Sequence, residues 1–187
     1  MADRKVLVIL AEGFEEVEAL APIDVLRRCG ASVTVAGLKP ERGNLIRGAH
    51  DVRVRCDEDL RDVREDRFDA IVLPGGMPGA LNLHKSEIVD SVIRDTFKRG
   101  DFVCSICASP AFVLAPTGIL EGKKCTCYPG CEAQAPYVKF SKDRTVRDGN
   151  VITGAGPGTA LEFGLLIAEA LYGKETSERV HADMICK

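Results

Sequence analysis

The chain has 187 residues, 45% of them hydrophobic and 28% charged, and a formal net charge of −3. That is an ordinary soluble-domain composition, long enough to bury a core without disulfide or metal staples, and it excludes global disorder. Lys plus Arg is 25 against 28 for Asp plus Glu, so no basic excess exists to hold a phosphate backbone and no specific nucleic-acid binding is expected.

The length fits a single domain, residues 1–187, with no internal repeat or linker. Lys5–Ala11 is a continuous apolar run and predicts a fully buried strand. It is too short to span a membrane, and Glu12-Gly13 follows it where a cleavage site would be needed. No secretory signal or membrane association is expected, and the cytoplasm is the simplest location. Glu15–Cys29 predicts a helix stopped by Gly30, with a bend or weak point at Pro22. Ser32–Gly37 predicts a second strand, and Asn44–Cys56 a small hairpin around Arg47-Gly48-Ala49-His50. Phe68–Leu73 is another buried strand, Ser86–Arg99 a helix stopped by Gly100, Phe102–Ile106 a short strand and Ala108–Ala115 a helix. Strands follow at Cys125–Tyr128, Tyr137–Phe140 and Val151–Thr153, then helices at Thr159–Tyr172 and Lys174–Cys186. Alternating strands and helices predict an α/β sandwich with a mostly parallel central sheet.

In such sheets, sites form outside the carboxyl ends of strands. One end carries Ser105-Ile106-Cys107-Ala108-Ser109-Pro110, where a strand meets a helical stretch with no loop between. Cys107 would sit on a sharp elbow beside the first amides of the helix, which favour a thiolate; the bland reading is a buried inert cysteine. A second end carries Pro74-Gly75-Gly76. Its glycines either make a tight turn or expose amides that, with that of Ala108, would serve an oxyanion. The third end carries Glu12-Gly13-Phe14-Glu15-Glu16-Val17-Glu18. Glu15 and Glu16 suit solvated charges at a helix N-terminus, whereas Glu18, one turn deeper, suits a cleft acid of raised pKa. A thiolate, amide donors and one carboxyl together suit adding sulfur to a carbonyl and moving a proton.

The eight cysteines allow other readings. Cys104 and Cys107 make C-x-x-C and, with Cys125, Cys127 and Cys131, suggest zinc; but Cys104 falls inside a predicted strand, so no metal is expected. Cys127 and Cys131 flank Tyr128-Pro129-Gly130 and are either small core residues or a resolving thiol. Gly154–Thr159 opens a helix but fits neither the dinucleotide nor the P-loop spacing. His84 and His181 lie on polar helical segments and Arg61–Arg67 on a mixed-charge face.

Across nearly the whole chain these motifs resemble the ThiJ/PfpI superfamily and its DJ-one, or deglycase, branch. The resemblance rests on Val8–Glu18, Val25–Gly30, Val33–Leu38, Val72–Gly76, Ile106–Pro110 and Gly156–Thr159 followed by Glu162-Phe163. It implies a flavodoxin-like sandwich of the class-one glutamine-amidotransferase type, usually a homodimer, with Cys107 as nucleophile, Glu18 as its acidic partner, and Gly75, Gly76 and Ala108 as backbone donors. It also implies a cofactor-independent glyoxalase or deglycase acting on methylglyoxal, glyoxal or early glycation adducts, or else an oxidative-stress sensor or chaperone using the same cysteine. The chain departs from the family at two pocket positions. Tyr128 stands where the family often has His, and His50 where animal members have an Arg contributed by the partner subunit. Tyr128 removes the imidazole of a Cys–His dyad and leaves Glu18 as the proton carrier. Ala108 replaces the His that follows the nucleophile in the protease-like branch, which argues against peptidase activity.

Overall fold

The structure, a computed structural model, describes residues 3–41 and 43–186. In chain order it contains β1 (Lys5–Leu10), α1 (Glu16–Arg28), β2 (Ser32–Gly37), the hairpin β3 (Leu45–Arg47) and β4 (Arg53–Arg55), β5 (Glu58–Asp59), α2 (Leu60–Val63), β6 (Ala70–Leu73), α3 (Gly79–His84), α4 (Glu87–Lys98), β7 (Phe102–Ile106), β8 (Cys125–Thr126), β9 (Phe140–Ser141), β10 (Thr145–Asp148), β11 (Val151–Gly154), α5 (Ala160–Tyr172) and α6 (Lys174–Asp183). Seven strands form one sheet in the order β10-β11-β7-β6-β1-β2-β5. Every pairing in it is parallel except β10 with β11.

The continuous apolar runs of β1 and β6 are explained by burial on both faces: Val6 to Leu10 and Ala70 to Leu73 are all inaccessible. Strand order reverses between β1 and β6, since the chain moves outward from β1 to β2 on one side and from β6 to β7 on the other. Right-handed crossovers then place α1 and α4 on opposite faces. Helix α5 returns to pack on α1, where Gly164 lies against Pro22 and Val25. Helix α1 runs through Pro22 without interruption.

Three expected elements differ. The strand expected at Tyr137–Phe140 is the two-residue β9, Phe140–Ser141, since Tyr137 and Val138 lie in the turn before it. Ala108–Ala115 is not an α-helix: Pro110–Leu114 is a π-turn and Ala115–Thr117 a 3₁₀ turn. Pro116 has no amide to donate back to Phe112, so the α ladder cannot continue through this turn, and the Ala115 amide bonds Pro110 O at the π spacing. Cys125–Tyr128 shrinks to β8, which pairs with β9 in a separate two-stranded sheet, because the Tyr128 amide leaves the ladder to bond Cys107. Strand β10 was not foreseen. Its sequence Thr-Val-Arg-Asp is polar because it is an edge strand, and its two-residue turn Gly149-Asn150 was the missed signal.

Candidate active site

Strands β1, β6 and β7 end side by side at the reversal of strand order, where open α/β sheets form their crevice. Cys107 is the first residue beyond β7, and its φ of +66° lies in the left-handed region. A residue with a Cβ pays about 1–3 kcal/mol to stay there. Two segments hold it: its amide donates to Gly154 O at 2.9 Å, and its carbonyl accepts from the Tyr128 amide at 2.8 Å. Ser109 Oγ donates to Pro74 O at 2.6 Å and ties the elbow to the loop after β6.

Glu18 comes to the same point from the first turn of α1. Glu15 caps that helix by accepting the Glu18 amide at 2.8 Å, an N-cap to N3 spacing readable in the sequence. The Glu18 side chain is completely buried. Its Oε2 accepts from the Gly75 amide at 2.8 Å, its carboxyl meets the Cys107 thiol, and Oε1 has no partner with hydrogen-bonding geometry. Gly75 is required by this proximity: a Cβ there would lie 2.8 Å from both Cys107 Cβ and Glu18 Oε2.

The donor set expected from sequence is therefore corrected. The Gly75 amide donates to Glu18, while the amides of Ala108 and Gly76 lie close enough to the Cys107 sulfur to lower its pKa. No α-helix dipole acts on Cys107, because a five-residue π-turn follows the elbow in place of an α-helix. What remains are two individual N–H groups.

Burial raises Glu18 from the ordinary 4.5 to about 7, against the lowering influence of the neighbouring Cys107 thiol and the Gly75 amide. Burial also pushes the Cys107 thiol up, an ionised Glu18 pushes it further, and the Ala108 and Gly76 amides pull it down. When Glu18 holds its proton, the repulsion is gone and the carboxyl can donate to sulfur. The two groups titrate as a pair over one proton.

Glu15 and Glu16 are not the solvated charges expected; they are 9% and 7% exposed. Burial would raise Glu16, but the side-chain and backbone hydrogen bonds from His50 outweigh it, and its carboxyl lies below the ordinary value. His50 Nδ1 is 2.7 Å from Glu16 Oε2, and that hydrogen bond raises the ring's pKa. Within the chain the exposed His50 thus faces Glu16, not Cys107. Tyr128 reaches the elbow by its backbone, while its half-exposed ring lies over Gly156. Among the described residues, the group of metal-ligand type that gathers within 4.8 Å is Glu15, Glu16 and His50. Cys104 is fully buried inside β7. Sequence reasoning missed Ser109 and the capping role of Glu15.

A doubly wound α/β sheet with a cysteine on a strained elbow against a buried acid defines a class: single-domain flavodoxin-like proteins with a thiol site at the strand ends. Comparison with known proteins narrows this. The DJ-1/PfpI family pattern matches residues 4–170, and the chain belongs to that family. It is 41% identical over 191 residues to the Parkinson disease protein 7 homolog of Danio rerio, covering 100% of both chains. It is 35% identical over 175 residues to the glutathione-independent glyoxalase DJR-1.2 of Caenorhabditis elegans, covering 93% of this chain and 92% of that one. The crystal structure of Drosophila melanogaster DJ-1beta superposes with a TM-score of 0.94 at 41% identity, covering 100% of each chain.

Proposed function

We propose that the protein is a cofactor-independent glyoxalase or deglycase that acts on small dicarbonyls such as methylglyoxal, or on early glycation adducts. The observation that carries this reading is the contact between Cys107 and a fully buried carboxyl whose pKa lies near 7. The Cys107 thiolate adds to the aldehyde carbon, and the resulting alkoxide takes a proton to give a hemithioacetal. Glu18 removes the proton from that carbon and returns it to the neighbouring carbonyl carbon, while the hydroxyl proton passes from the first oxygen to the second. The product of this step is a thioester of the 2-hydroxy acid, which water cleaves to lactate and free thiolate. The net reaction is methylglyoxal plus water to lactate. The amides of Gly76 and Ala108 hold the thiolate first and then stand beside the oxygen that develops charge. A similar relative named a glutathione-independent glyoxalase supports the reading.

A homodimer is part of this proposal. Val17 and Leu20 on one face of α1 and Val52 beside the β3–β4 hairpin are exposed apolar residues, and that hairpin carries His50. A second reading, oxidation of Cys107 by peroxide with Glu18 donating to the oxidised sulfur, uses the same pair. Lactate formation from methylglyoxal without glutathione separates the two. Turnover in the wild type that disappears in Cys107→Ser is expected. No turnover in the wild type overturns the enzyme reading.

A further inference from the structure

We propose that Cys131 is the resolving thiol of Cys107: once a hydroperoxide has oxidised Cys107 to a sulfenic acid, Cys131 captures it as an intramolecular disulfide. The inference rests on the reading that Cys107 is the reactive thiol of the site.

Placement carries it. The Tyr128 amide donates to Cys107 O at 2.8 Å, and the Cys131 amide donates to Tyr128 O at 2.9 Å, so two backbone hydrogen bonds link the residues. The 3₁₀ turn Cys131–Gln134 packs on the π-turn Pro110–Leu114 that continues from the elbow. Cys131 is half-buried and packs against the edge of the hydrophobic core. It belongs to none of the three sheets, and the left-handed Gly130 precedes it in a turn. Glu18 provides the independent observation. It is fully buried, its Oε1 has no hydrogen-bond partner, and its charge acts on both Cys107 and Cys131. Cys127 is the weaker candidate, because its side chain is buried.

The chemistry balances. The Cys107 thiolate attacks a peroxide oxygen, the O–O bond breaks, sulfur is oxidised to S–OH, and the departing hydroxide takes a proton. The Cys131 sulfur then attacks Cys107 sulfur, the S–O bond breaks and the S–S bond forms. The hydroxyl leaves as water with the Cys131 proton, for which Glu18 is the nearby relay. With hydrogen peroxide, two thiols and one peroxide give one disulfide and two waters. The disulfide is returned to thiols by a dithiol, whereas further oxidation of Cys107 to the sulfinic acid is not. The site would thus gain reversible peroxide reduction.

The test treats wild type, Cys131→Ser and Cys127→Ser with one equivalent of hydrogen peroxide near neutral pH, followed by peptide mapping without reductant. A Cys107–Cys131 disulfide is expected in wild type and Cys127→Ser, and dithiothreitol should restore iodoacetamide labelling of Cys107. In Cys131→Ser the sulfenic acid should be trapped by dimedone or proceed to sulfinic acid, and recovery by dithiothreitol should be lost. Sulfinic acid forming on wild-type Cys107 as fast as in Cys131→Ser overturns the proposal alone, as does a Cys127–Cys131 disulfide in its place. No oxidation of Cys107 in any variant overturns both this proposal and the reactive-thiol reading beneath it.

Discussion

Strand β7 carries one cysteine in its interior and another just beyond its end. Cys104 is paired across to Val72 on one side and Ile152 on the other. It is inaccessible, and burial pushes its thiol up with only the charge of Arg147 opposing. Cys107, three residues on, has left the ladder. It faces two amides and a carboxyl and keeps 9% of its surface accessible. The residue type is the same, so reactivity is a property of where the strand stops. A strand interior spends its amides on neighbouring strands, while a strand end has amides to aim at a ligand or a sulfur.

The largest expected contrast is in turnover. Cys107→Ser should reduce glyoxalase activity to background, and Cys104→Ala should leave kcat/KM close to wild type; equal losses in a lactate assay would erase the distinction between the two positions. Limiting iodoacetamide should likewise label Cys107 and spare Cys104. Next comes the acid. Glu18→Gln keeps a donor toward sulfur but cannot exchange protons, so turnover should fall by ~10²–10⁴-fold while Cys107 remains alkylatable. Wild-type turnover in this variant would make Glu18 a structural donor only.

Stability against pH separates the two cysteine environments on a smaller scale. Folding raises the Glu18 pKa from 4.5 to about 7, so between those values the folded chain holds a proton that the unfolded chain releases. Its stabilising contribution is complete below the lower value and falls as pH rises through the upper one. At about 1.36 kcal/mol per pKa unit, wild type should lose ~3 kcal/mol across that window relative to Glu18→Gln. Urea midpoints on either side of the window measure it, and parallel curves for the two proteins would mean that Glu18 is not protonated in the fold. The smallest effect is expected from Gly75→Ala. Its Cβ would crowd Cys107 and Glu18, which should cost about 1–3 kcal/mol of stability and lower kcat. A variant as stable and active as wild type would show that the elbow has room the geometry denies.

Much of this frame is legible in the residues. The runs that become β1, α1, β2 and β7 agree with the structure to within a residue, because the strands are rich in apolar residues and α1 is stopped by Gly30. The polar edge strand β10 lacks that contrast. Cys107, Glu18, Gly75, Gly76 and Ala108 were named from strand-end logic and family resemblance, and they do meet in one place. Which way the Gly75 amide points was not legible, since a double glycine permits either donor arrangement. Nor was the burial of Glu16, which depends on His50 arriving from a hairpin 34 residues away.

The left-handed backbone at Cys107 sets fold and chemistry at odds over one codon. Glycine adopts that conformation freely, so Cys107→Gly would relieve local strain and remove the sulfur in one step. Selection for thermal robustness alone would drift this position toward glycine. The cysteine can persist there only while something rewards its sulfur, and the strain is a standing tax on the molecule whenever that reward lapses.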